Sequence, residues 1–221
     1  MKKIFAFAAF AAMIFAAGSC QKNETIGGRG EACVTKFSVE MPQEAQTRTV
    51  SEGENVDVVY YEIWDEDFAN ILGKGVDAIT GGRLEKEFVL VKNQIYNFIF
   101  WAQNEACGAY DVTELKNVGV NYDVIGAEGN QDKFDAFYAI ETIRVEGPIN
   151  NTVTLYRPFA QLNVITKDYA QLAKSGVELT ESKVVGYVPT TLNVFDGTLA
   201  NETAEVTFDF AGIPTDEVAD D

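Results

Sequence analysis

Apolar residues along this chain recur mainly at every second position, in short runs bounded by glycine, proline, asparagine and acidic residues. That is the pattern of strands and turns. From Cys33 to Met41 (CVTKFSVEM), Cys33, Thr35, Phe37 and Val39 fall on one face and Val34, Lys36 and Ser38 on the other, predicting a half-buried strand. Val56–Trp64 (VDVVYYEIW) is dense in β-branched and aromatic residues, as expected of a central strand. Phe88–Val91 and Ile95–Gln103 (IYNFIFWAQ) form the most apolar strand pair, with Lys92–Gln94 reading as a hairpin-like turn. In the second of these, Tyr96, Phe98 and Phe100 share one face and Ile95, Ile99 and Trp101 the other, so both faces are expected to be covered. Gly73–Arg83 is glycine-rich and reads as a loop. Val112–Asp123 carries short apolar pieces, Ala127–Lys133 is polar, and Phe134–Val145 resumes strand character. Lys183–Val188 and Thr191–Phe195 read as strands either side of Pro189, Asp196-Gly197 as a turn, and Glu205–Phe210 as a last strand. One short helix is predicted over Tyr169–Ser175, capped by Asp168 and stopped by Gly176. Short strands with turn signals every 8 to 12 residues or so indicate an all-β, antiparallel sandwich.

The segment Val153–Thr166 breaks its own period. Val153 and Leu155 are odd-numbered, whereas Ala160, Leu162 and Val164 are even, and Pro158 lies between the two sets. Proline cannot donate to a ladder, so a bulge or a crossing between sheets is expected there. Arg157, the charge at this bend, is expected to pair with a carboxylate at the edge of the core.

The N-terminus follows different rules. Lys2 and Lys3 precede an apolar run of 14 residues, Ile4–Ala17, too short for the roughly 20 residues of a membrane helix and suited to a secretory signal. Ala17-Gly-Ser-Cys20 resembles a bacterial lipobox, with Ala17 where leucine is usual, which would leave Cys20 as the lipidated first residue. Two or three acyl chains, at about 0.8 kcal/mol per buried methylene, would hold such a chain to a membrane. Gln21–Glu31 is polar and aperiodic, as a tether is. The expected organisation is a lipoprotein signal peptide at 1–19, a flexible tether at 20–32, a sandwich domain at 33–212 and an acidic tail at 213–221. A second, incomplete domain starting after about 167 is the alternative.

Charge narrows the partners. Without Lys2 and Lys3, 15 basic residues stand against 34 acidic ones, a net charge of −19. That balance excludes nucleic acid and charge-driven adhesion to anionic lipid. There is no histidine, which removes Ser-His and Cys-His nucleophiles, histidine bases and the usual zinc sites. The acidic turn Asp65-Glu-Asp67 lacks the alternating ligand spacing of a calcium loop. No catalytic residue, metal site or cofactor is expected. Cys33 and Cys107 read either as an export-permitted disulfide or as two buried thiols.

The motifs Ala17-Gly-Ser-Cys20, Thr47-Arg-Thr49, Tyr96–Gln103, Asp135-Ala-Phe-Tyr138 and Leu155–Asn163 together resemble the fimbrillin-like surface lipoproteins of Bacteroidetes, a group that includes domains of unknown function. The resemblance spans most of the chain. It implies transthyretin-like, immunoglobulin-like sandwich folding and a lipid anchor in the outer membrane, exposed at the cell surface. It further implies a role as fimbrial subunit, pilus anchor or adhesin, assembled with other subunits by strand addition. By the same resemblance Arg48 is the position of proteolytic maturation. Where the family ordinarily continues into a second sandwich and a C-terminal strand, this chain ends in its acidic tail. Two other functions compete. A glycan-binding surface lipoprotein would need an exposed aromatic platform, for which Trp64, Trp101 and Tyr110 are the candidates. A hydrolase would need paired carboxylates, such as Asp65 and Asp67. The ligand on a host or bacterial surface is not legible.

Overall fold

The computed structural model describes residues 25–42, 53–128, 132–159, 168–177 and 181–209. The period-two runs become strands β1 (Ala32–Glu40), β2 (Val58–Trp64), β3 (Ile71–Ala78), β4 (Arg83–Val91), β5 (Ile95–Gln103), β6 (Tyr110–Asp111) and β7 (Asn117–Val120). Helix α1 (Tyr122–Glu128) and a 3-10 turn at Asp132–Phe134 lead into β8 (Ala136–Arg144) and β9 (Ile149–Thr154), and α2 (Tyr169–Lys174) precedes β10 (Glu181–Asn193) and β11 (Leu199–Asp209). The chain is an all-β sandwich. Among the described residues three sheets run β4-β1-β9, β3-β2-β5-β8 and β11-β10-β7-β6. Every described strand pair is antiparallel except β1 with β9, which is parallel.

The second sheet lies between the other two because β5 is apolar on both faces. Tyr96, Phe98 and Phe100 join Phe37, Phe88 and Leu90 in the core shared with the first sheet. Ile99 and Trp101, on the opposite face, meet Val118, Leu192 and Val194 of the third. The sequence expectation of two covered faces holds.

The chain does pass between sheets here, but at Leu155 and Tyr156, just before Pro158. Val153 pairs with Val39 in the first sheet, and the Leu155 N–H still donates to Glu40 O at 2.9 Å. At the next residue, Tyr156, the backbone exchanges two 2.8 Å hydrogen bonds with Tyr138 of β8, in the second sheet. Ala160, Leu162 and Val164 lie outside the described residues.

Several expectations change. Lys92–Gln94 is not a hairpin turn: β4 pairs with β1 whereas β5 pairs with β2 and β8, so the connection arches from one sheet to the other. Asn93, at φ 64°, is held there by donating its N–H to Val145 O at 2.6 Å. The glycine-rich stretch is largely strand, since Gly73 and Gly75 sit in β3. A Cβ on Gly75 would run into the Tyr61 ring that lies across it, so glycine here makes room for an aromatic cover. Pro189 lies inside one continuous strand, β10. It faces Glu202 of β11, while β7 pairs with β10 only at Thr191–Asn193. Asp168 stands at the N-terminus of α2 but its side chain makes no capping bond, whereas Gly176, at φ 77°, ends the helix as expected. Helix α1 was not expected, because Gly126 lowers its propensity. Gly126 is nevertheless required, since a Cβ there would meet the backbone carbonyl of Thr207 on β11.

Candidate functional site

β1 occupies the centre of its sheet. Ala32–Glu40 pairs along its whole length with Val91–Arg83 of β4, and Thr35–Glu40 pairs with Ile149–Thr154 of β9. Its inward residues Cys33, Thr35, Phe37 and Val39 are buried, as their alternation predicts. The Phe37 ring centroid lies 4.6 Å from that of Phe98, 5.5 Å from Phe100 and 5.9 Å from Phe88. β1 therefore fills a slot between two strands and supplies the side chain that plugs it. One polar atom in the slot is not matched: Thr35 Oγ1 is buried with no hydrogen-bond partner among the described residues. After β1, the Met41 N–H donates to Gly82 O, and a Cβ on Gly53 would collide with the Met41 side chain. The two ends of the 43–52 segment, which contains Arg48, thus lie side by side. Before β1, Ile26 bridges to the opposite edge of β4 and accepts the Tyr96 hydroxyl at 2.9 Å, so packing against the sandwich reaches back into the stretch read as a tether. Cys20 and Arg48 lie outside the described residues.

Trp64, Trp101 and Tyr110 do not form the exposed aromatic platform that the glycan-binding alternative would need. Trp64 and Trp101 are buried, at 5% and 0% exposure, and the Trp101 Nε1–H donates to Gln103 Oε1 at 2.8 Å. The Tyr110 hydroxyl donates to Phe134 O, and burial pushes it well above the ordinary phenol range. Asp65 spends its carboxylate on the N–H groups of Ala69 and Asn70 and on the Asn70 side chain, which hold it below the usual carboxylate range, so it caps a turn and does not pair with Asp67 for chemistry. Among the described residues no group of three or more acidic or cysteine side chains is placed to hold a metal ion. Cys33 and Cys107 are free buried thiols in separate hydrophobic clusters. Arg157 does pair with a carboxylate, donating from both terminal nitrogens to Asp135 at 3.1 Å while lying 4.9 Å over the Phe137 ring.

Two features escaped sequence reading. Glu62 on β2 is buried between the second and third sheets, accepting the Trp64 indole N–H at 3.1 Å and the Leu115 backbone N–H, and burial pushes its carboxyl up. The other is a surface groove of about 550 Å³ where the two sheets part beyond the Tyr138–Tyr156 bridge. Tyr138 and Glu141 of β8 form one side, Thr152, Thr154 and Tyr156 the other, and the turn Phe195–Gly197 an end. Tyr156 is 63% exposed and Phe195 46%. The Thr198 hydroxyl and N–H, at 2.6 and 2.9 Å, fix the Asp196 carboxylate in that turn and hold it below its ordinary range.

Residues 28–219 match the family described as a family of unknown function (DUF6562). No curated protein matches the chain. Among solved structures, the chain is similar to a candidate polysaccharide binding protein (DUF1812) from Bacteroides thetaiotaomicron VPI-5482, at 13% identity and a TM-score of 0.47. That likeness covers 80% of this chain and 64% of the other, so the chain spans less than two thirds of that protein's length. It is also similar to the fimbrial anchor protein Mfa2 from Porphyromonas gingivalis, at 13% identity and a TM-score of 0.43, over 83% of this chain and 75% of the other.

Proposed function

The chain belongs to the DUF6562 family, and we propose that it is a non-enzymatic subunit of a fimbria-like assembly, exported to the outer membrane as a lipoprotein and joined to neighbouring subunits by strand addition. The observation that carries this reading is the place of β1, a strand at the chain's N-terminal side that is bonded on both edges and supplies Phe37 to the core. Losing it would leave a slot bordered by β4 and β9 and floored by Phe88, Phe98 and Phe100. An apolar slot with free backbone groups along both sides is a receptor for another chain's strand. Arg48 lies in the segment that follows β1, so a cut there would free β1 without touching any other described strand. The fimbrillin-like motifs of the sequence, the signal segment ending at Cys20 and the acidic, self-repelling composition support the same reading.

Lipid on Cys20 supplies the membrane attachment in this account, and Cys20→Ala is expected to leave the membrane fraction. Mass spectrometry of the protein from its native cell tests the whole proposal. An N-terminus at acylated Cys20 identifies an anchor or tip that keeps β1, and one at Thr49 identifies a shaft subunit that has shed both β1 and lipid. A chain that retains Met1–Ser19, or an unmodified Cys20 on an uncut chain, contradicts it.

A further inference from the structure

We propose that the groove between β8, β9 and the Phe195–Gly197 turn binds a neutral glycan. Tyr138 and Tyr156 are direct cross-strand partners, so their side chains project to the same face of the local ladder. Tyr138 is backed by the core between the second and third sheets, which makes it a fixed floor. Tyr156 stands up beside it, largely exposed, and Phe195 stands at the end of the groove with its inner side against Phe68, ring centroids 4.0 Å apart. Aromatic faces held open by such packing stack against the apolar faces of pyranose rings. Around them stand groups that can meet sugar hydroxyls: the Glu141 carboxylate, steadied by the Asn151 amide at 3.3 Å, the Asp196 carboxylate, and the exposed threonines Thr152 and Thr154.

The charge of the lining selects among glycans. Among the described residues Glu141 and Asp196 contribute carboxylates and no lysine or arginine lines the groove, so uronate or sialate chains meet repulsion there. At about 550 Å³ the groove falls within the roughly 300–1,000 Å³ of ligand sites, with room for more than one linked ring. None of these residues lies on β1, although β9, which carries Thr152 and Thr154, is held in its sheet by β1.

Titration calorimetry of the full chain against maltohexaose, cellohexaose, xylohexaose and mannohexaose, with trigalacturonate as the anionic probe, tests this. At least one neutral hexasaccharide should bind saturably, and trigalacturonate should not. Tyr156→Ala, which removes the exposed ring, and Thr154→Trp, which fills the groove while leaving Tyr156 in place, should each weaken binding at least tenfold with an unchanged thermal midpoint. If one variant fails to fold, the other decides. The proposal is overturned if no neutral hexasaccharide binds, if trigalacturonate binds as well as they do, or if affinity in the folded variants stays within threefold of the parent. Self-association that Tyr156→Ala abolishes, in place of sugar binding, would reassign the groove to an interface between copies.

Discussion

The ring of Phe37 on β1 lies 4.6 Å from the ring of Phe98 on β5, centroid to centroid, and both side chains are fully buried. This contact couples the first strand of the sandwich to the sheet behind it. Phe37→Ala and Phe98→Ala should each destabilise by roughly 3–5 kcal/mol, as truncation of buried phenylalanine does. Because the rings touch, the double variant should cost less than the sum of the two. Urea unfolding of the three variants measures this, and a change under about 1 kcal/mol in either single variant would put that ring outside the core.

Thr35 offers the opposite sign. Its hydroxyl is buried without a hydrogen-bond partner among the described residues, so Thr35→Val replaces an unsatisfied polar atom with a methyl group of similar shape. A gain of about 1 kcal/mol is expected in the same unfolding assay. A loss would mean that the hydroxyl has a partner after all.

Glu62 predicts a pH dependence. Burial raises its folded value, so the folded chain binds this proton more tightly than the unfolded chain does. Its effect on stability is therefore a cost at neutral pH, relieved as pH falls through the raised value toward the ordinary glutamate range. Glu62→Gln can still accept from Trp64 or Leu115. It should be more stable than the parent at neutral pH, by a margin that shrinks on acidification. Unfolding curves across that window check the sign, and a parent more stable than the variant at neutral pH would refute it.

Gly126 should resist even a methyl group. In Gly126→Ala the new Cβ meets the Thr207 carbonyl, a backbone atom that cannot swing aside, and a loss of about 1–3 kcal/mol is expected. Hydrogen exchange should show faster opening of α1 and β11 than of β5. Unchanged exchange in both elements would contradict this packing.

Much of the sandwich was legible because burial imprints period two on a strand, and β5 shows it on both faces. What the period does not encode is the partner. Nothing local distinguishes the arch after Val91 from a hairpin, since the distinction lies in β1 taking the place beside β4. Nor does composition mark Gly75 as strand, because the missing side chain is supplied by Tyr61 from across the sheet. Trp64, Trp101 and Tyr110 drew notice as aromatics, yet size and β-propensity made them core. The exposed rings Tyr156 and Phe195 come from segments about forty residues apart, and isolated aromatics carry no period to read. The Arg157 pairing was foreseeable from the lack of any other charge at that bend.

Whether β1 can leave its slot and another strand take its place is tested most directly by refolding with a supplied strand. Residues 49–221 alone should show no cooperative unfolding transition. Refolded with a synthetic peptide of residues 31–42, they should recover one and retain the peptide at equal stoichiometry, whereas the same peptide carrying Phe37→Ala should be lost. A cooperative transition in the 49–221 chain without peptide, matching that of the intact protein, would contradict the account, and so would equal retention of the two peptides.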